Sequence, residues 1–180
     1  MNERAAALHA LLVRNFERIE KVRERRDPLY DTVCARLAPG TAARGLGMSV
    51  DVLAPGKRGC PYHLHHAQEE AFVVLEGRGT LRVAGEELPI EAGDVIFIPP
   101  GPEYPHQIVN TSGAPLKYLS ISTQESPEVC VYPDSGKVLS TAKHAGHAPF
   151  ARNFGRESDD GCQDTGQDIG IPADLCSLLH

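Results

Sequence analysis

Tryptophan is absent from this 180-residue chain, aromatic residues make up only 6% of it, and methionine occurs twice. No apolar run approaches the ~20 residues that a membrane span requires. The N-terminus lacks the charged, apolar, then small-residue order of a signal peptide. Excess positive charge is lacking too: the formal net charge is −6, which argues against general binding to nucleic acid or anionic membrane. The one basic run, Lys21-Val22-Arg23-Glu24-Arg25-Arg26, is broken by acid and reads as the solvated face or end of a helix. Five cysteines (Cys34, Cys60, Cys130, Cys162 and Cys176) form an odd count without regular spacing. In a chain without an export signal they are expected to be reduced, mostly structural thiols in a cytoplasmic protein.

Hydrophobic residues reach 41% and charged residues 23%, enough for an ordinary packed core. The length fits one domain with additional segments. Seventeen glycines and fourteen prolines cluster between short apolar runs, the punctuation of an all-β chain.

Residues 3 to 26 read as one amphipathic helix. Leu8, Leu12, Phe16, Ile19 and Val22 fall at steps of three or four, and Asp27-Pro28 ends it. From Asp31 the period becomes two. Strand-like runs stand at Thr32–Leu37, Leu46–Leu53, Glu70–Leu75, Gly79–Val83, Val95–Ile98, His106–Val109 and Leu116–Ser122. Turn clusters such as Ala84-Gly85-Glu86-Glu87 and Pro99-Pro100-Gly101-Pro102 separate them. Such spacing predicts a sandwich or barrel. The expected division is a helix over 1–28, a β-barrel domain over 29–137 and an extension over 138–180. Within that extension, 155–170 reads as polar loop or disordered tail and Asp174–His180 as a terminal helical turn.

The segment Cys60-Pro61-Tyr62-His63-Leu64-His65-His66-Ala67-Gln68-Glu69-Glu70 carries the chemistry. On a strand, His63 and His65 share a face. Glu70, opening the next run, can swing back beside them, and His106 offers a third nitrogen. Three imidazoles and a carboxylate suit a divalent transition metal (Fe, Mn, Zn, Ni, Co or Cu) without choosing among them. Four protein ligands leave one or two positions open for catalysis. Glu69 competes with Glu70, but the spacing to Gly77 and the alternation with Phe72 and Val74 favour Glu70.

These residues form two motifs that resemble those of the cupin superfamily. The first runs Gly56, His63-Leu64-His65, Glu70, Gly77; the second runs Gly93, Pro99-Pro100-Gly101, His106, Asn110. The gap before His106 is longer than usual, so Glu103 and Tyr104 are expected to form a lip beside the site. The resemblance, over about Gly45 to Thr123, implies a double-stranded β-helix (jelly-roll) barrel, a buried metal and frequent dimers. The following segment, Tyr118 to Lys137, extends the likeness and resembles a subgroup of single-domain bacterial cupins. Cupins include dioxygenases, decarboxylases, isomerases, lyases and non-catalytic binders, so the resemblance implies no single reaction.

The expected activity is metal-dependent chemistry on a small metabolite, with Glu103 and Tyr104 as acid/base candidates and the protein a homodimer. The alternatives are a metal-assisted binding or sensing module and a barrel with a structural metal. His66 is expected to face away from the metal. Arg78 and Arg82 read as solvated cross-strand partners before substrate anchors. Cys60 makes only a weak zinc half-site, Asp134-Ser135-Gly136-Lys137 reads as a turn, and His144 and His147 as exposed residues.

Overall fold

A computed structural model describes residues 2–141 and 152–153. In chain order its elements are α1 (Glu3–Leu12), β1 (Val22–Arg26), β2 (Tyr30–Arg36), β3 (Leu46–Leu53), β4 (Leu64–His65), β5 (Glu70–Glu76) and β6 (Arg78–Val83). There follow β7 (Glu86–Glu91), β8 (Val95–Ile98), β9 (His106–Val109), β10 (Leu116–Thr123), β11 (Glu128–Tyr132), β12 (Lys137–Thr141) and β13 (Arg152–Asn153). The strands pair antiparallel in three sheets, ordered β1-β2-β3-β10-β5-β8, β13-β12-β11-β4 and β7-β6-β9. This is a jelly-roll β-barrel with an N-terminal helix.

Alternation decides which side chains enter the barrel. On β5, Glu70, Phe72 and Val74 are buried, while Ala71, Val73 and Leu75 are less so. Register then sets Val74 beside Tyr118, and Tyr118 beside Asp51. The main core, Leu53, Phe72, Val74, Leu81, Ile90, Ile98, Ile108, Leu116 and Tyr118, fills the interior and reaches the histidines through Phe72, whose ring centroid lies 5.7 Å from that of His106. Gly77, at φ +85°, lies against the Pro115 carbonyl; a side chain there would meet both backbone strain and a collision.

The expected helix over 3–26 is shorter, ending at Leu12. Asn2 caps it by accepting from the Ala5 N–H at 2.8 Å, and Val13 is already extended. Asn15 then accepts from the N–H groups of Glu17 and Arg18, a local bond that competes with helix. Phe16 and Ile19, spaced three apart as on a helix, instead sit in a turn and pack on Ala35, Leu37 and Val50 outside the large sheet. Val22–Arg26 is a strand paired with β2, which supplies the backbone bonds that its charged sequence does not advertise.

Two further elements differ from expectation. The turn at 84–87 is only Ala84 and Gly85, both at positive φ, as a two-residue hairpin demands. Glu86–Glu91 is strand despite Pro89, which an edge position tolerates. Residues 134–136 do turn, joining β11 to β12, so β12 runs across the expected 137/138 boundary. The expectations for 155–170, Asp174–His180, His144, His147, Cys162 and Cys176 lie outside the described residues.

Candidate metal centre

His63 and His106 face each other as an antiparallel bridge, exchanging N–H to C=O bonds of 3.1 and 2.7 Å. That pairing sets both imidazoles on one face, with ring centroids 4.5 Å apart. His65 follows two residues on, and its carbonyl accepts from the Gly101 N–H at 2.7 Å. Thus the Pro-Pro-Gly loop clamps the strand carrying His65, and Gly101 does so at φ +121°. Asn110 is a second clamp. It is fully buried, donates to the Leu53 and Ala114 carbonyls, and accepts from Ser112.

His63, His65, Glu70 and His106 are each at most 3% exposed. Glu70 Oε2 lies 2.7 Å from His106 Nε2, 3.5 Å from His65 Nε2 and 3.8 Å from His63 Nε2. Each Nδ1 has another partner: the Pro61 carbonyl at 2.9 Å for His63, the Tyr104 carbonyl at 3.1 Å for His106, and Glu128 Oε1 at 3.3 Å for His65. All three partners are acceptors, so Nδ1 carries the proton and Nε2 presents its lone pair inward. The three Nε2 atoms and Glu70 Oε2 are buried without hydrogen bonds. Four acceptor atoms facing one another are unfavourable unless a cation stands among them. The donor set therefore fits a divalent transition metal, and His63, Glu70 and His106 have ligand atoms all within 4.8 Å of one another.

The four groups are electrostatically coupled. Burial, with His106 and His65 nearby, pushes His63 down to about 3, keeping it neutral. Burial opposes ionisation of Glu70, yet His106, His65 and His63 together outweigh it and hold the carboxyl at about 2. For His65 burial is the largest single influence and acts downward; the Glu128 hydrogen bond and the Glu70 and Glu128 charges overcome it.

Sequence reasoning missed Glu128. Its carboxylate, 1% exposed, accepts from the N–H groups of His66, Ala67 and Gln68 while holding His65. It therefore ties the turn before Glu70 to β11. No motif announces it, because only the β4–β11 pairing brings it home. Asp51 was missed as well: its register places it beside Tyr118 inside the barrel, with Ser49 Oγ donating at 2.6 Å. Part of the residue is accessible, yet the carboxyl lies deep enough for burial to push it up to about 6.

Other candidates fall where chain direction sends them. Glu69 is exposed, with its N–H on Thr123, and His66 is exposed. Glu103 and Tyr104 are exposed on the loop entering β9; Tyr104 reaches His106 through its carbonyl, not its hydroxyl. Tyr62 is buried and accepts from the Gly85 N–H, and Gln107 donates to the Cys60 carbonyl. Arg82 is bound bidentately to Asp134 at 2.6 and 2.8 Å and lies over the Tyr62 ring, whereas Arg78 is exposed. Cys60 Sγ stands 3.6 Å from His63 Nδ1.

Residues 49–122 match the family model described as Cupin domain, and this part of the chain carries the cupin fold. A solved putative sugar phosphate isomerase from Acidithiobacillus ferrooxidans is 28% identical, with a TM-score of 0.69 over 81% of this chain and 92% of that one. Glucose-6-phosphate isomerase of Thermococcus gammatolerans is 29% identical over 62% of this chain and 60% of its own length. An oxalate-binding protein of Thermotoga maritima is 36% identical over 33% of this chain and 47% of its own. The chain thus spans about half to three-fifths of these two curated relatives. Among the described residues, no helix is long and apolar enough to cross a membrane.

Proposed function

We propose that this cupin is a metal-dependent enzyme acting on a small organic metabolite inside the barrel, with isomerisation of a phosphorylated sugar as its reaction. The observation that carries the metal is the convergence of three Nε2 lone pairs and Glu70 Oε2 in a buried space without hydrogen bonds. The names of two relatives favour the isomerase. A bound divalent transition ion supplies Lewis acidity toward a substrate carbonyl or hydroxyl oxygen. The protein fixes the donors: Pro61, Tyr104 and Glu128 lock the three tautomers, and Gly101 pins the His65 strand. Proton transfer falls to Glu103 and Tyr104 at the lip, with Asp51 as the interior carboxyl group competing for that role.

Glucose 6-phosphate and fructose 6-phosphate interconversion, followed with the metal-loaded chain, tests this reading. Turnover is expected to vanish in His63→Ala and in the chelated wild type, with the fold retained. Persistent turnover in the metal-free protein would sink the metal reading. Metal bound without turnover would sink the isomerase reading, and oxygen uptake by an iron-loaded sample would move the chemistry to a dioxygenase. A pH–rate comparison of Glu103→Gln, Tyr104→Phe and Asp51→Asn assigns the proton-moving group, which is the variant that loses one limb of the profile.

The oxalate-binding relative favours a second reading, a metal-assisted binder. Recovery of a bound metabolite unchanged after long incubation with the holo-protein would select it. We further propose a cytoplasmic homodimer. Leu8, Leu11, Leu12 and Val13 are each about half or more exposed, and Leu11 and Leu12 line an apolar groove with Phe16, Leu37 and Met48, so solution mass is expected to be twice that of the chain.

A further inference from the structure

Pairing across the large sheet sorts the barrel interior into two ends, because residues directly opposite on neighbouring strands point to the same face. At one end Leu53 meets Leu116 and Tyr118 meets Val74, all buried and apolar. At the other end the inward row runs Arg36, Ser49, Ser120 and Phe72, and the row beside it runs Gly47, Ser122 and Glu70. Arg36 and Glu70 therefore share one face, with only a glycine and three serines between them on β3 and β10. Three strand spacings, about 14 Å along the curved sheet, separate their backbones, and both side chains project into the bay between. The opposite face of the sheet is covered by Phe16 and Ile19 against Ala35, Leu37 and Val50. The partial exposure of Arg36, Asp51 and Ser120 thus arises from the inner side, so the bay is open to solvent.

Among the described residues the Arg36 guanidinium makes no hydrogen bond or ion pair. The acids on its face leave it free: Asp51 accepts from Ser49 Oγ at 2.6 Å, and Glu24 stands opposite Thr32. Arg82, by contrast, is bound to Asp134, and Arg78 is exposed. A half-buried cation facing a barrel interior is unfavourable until a negative group completes it. We propose that Arg36 is the anion anchor of this bay, holding the phosphate of a phosphorylated sugar whose carbonyl end lies at the metal centre. Its planar guanidinium presents paired N–H donors that match two phosphate oxygens, and Ser120 adds a hydroxyl on the same row. Gly47 leaves its place to the Gln124 amide, which donates to Ser122 Oγ at 3.2 Å and narrows the bay beside Glu70. Arg36 lies outside both motifs, and only the pairing of β2 with β3 turns it inward. The inference rests on the sugar-phosphate reading above and deepens it by naming the group that recognises the phosphate.

Calorimetric titration of the metal-loaded full-length chain with fructose 6-phosphate tests the anchor. The wild type is expected to bind it, and Arg36→Ala to bind it about 10- to 100-fold more weakly. Arg36→Lys is expected to recover part of that loss, since it keeps the charge without the paired donors. Inorganic phosphate is expected to compete with fructose 6-phosphate in the wild type and not in Arg36→Ala, with metal content and Tm the same in all three proteins. Unchanged affinity in Arg36→Ala, or a wild type that ignores fructose 6-phosphate, overturns the anchor. Loss of metal or of cooperative unfolding in both variants assigns Arg36 to the fold and overturns it too. Binding that depends on Arg36 without isomerisation leaves the anchor standing and removes the isomerase reading. Isomerisation with an affinity indifferent to Arg36 does the reverse.

Discussion

Hydrogen bonds at Nδ1 turn three histidines into a directed donor set. Pro61, Tyr104 and Glu128 accept those protons, so the orientation of each ring is settled before any ion arrives. Not every buried group is matched so well. Asp51 faces the interior with Ser49 as its hydrogen-bond partner, and the groups around it (Glu24 on β1, Cys34 on β2, Tyr118 on β10 and Cys60 before β4) bring no positive charge. Burial raises its pKa from 3.8 to about 6, with Ser49 acting downward and Glu24 upward. A raised acid binds its proton more tightly in the folded state. Folding stability therefore falls as pH rises from 3.8 to about 6 and is flat on either side. The full cost is on the order of 3 kcal/mol. Urea unfolding of the wild type from pH 4 to 8 is expected to show this decline, and Asp51→Asn to lack it. Parallel curves for the two proteins would mean that the Asp51 carboxylate is stabilised by contacts other than these.

At the level of elements, strand register is what a local pattern could not supply. His63, His65 and Glu70 were legible because alternation and a short turn relate them within eight residues. His106 was legible because it ends a recognisable glycine-and-proline loop. Glu128 was not, since its approach to His65 depends on β11 pairing with β4. The N-terminal segment shows the opposite error: a period near 3.6 was present, yet Asn15 and the pairing of β1 with β2 diverted the chain. That division has a consequence for stability. Helix α1 buries no residue, whereas Phe16 packs on Ala35, Leu37 and Val50. Phe16→Ala is expected to cost about 1–3 kcal/mol, and Leu12→Ala to change stability by less than about 0.5 kcal/mol, both from urea midpoints. Equal costs at the two sites would place the helix in an interface of the assembled protein.

For the whole molecule, the barrel is a frame that brings distant segments to one point and excludes water from it. The donors come from the segment before β4, from β4 itself, and from β5 and β9, so an ion at the centre ties these together. Binding to the folded state alone stabilises it by mass action, about 2.7 kcal/mol at a free metal concentration a hundred times Kd. Chelation is accordingly expected to lower Tm by several degrees in the wild type and not at all in Glu70→Ala/His106→Ala. A thermal scan with and without chelator checks it, and an unchanged wild-type Tm would remove the ion from the native centre.

Local order determined much of this protein. Turn residues and alternating hydrophobicity specify the strands, and the two motifs put histidine and glutamate on shared faces, because side-chain direction follows from the backbone period alone. Tertiary structure decided the rest. It placed Glu128 behind His65, turned Asp51 inward and left Glu103 and Tyr104 exposed. Each of these depends on which strand lies beside which, and pairing between residues some sixty positions apart reflects burial summed over the whole core, which no short window of sequence contains.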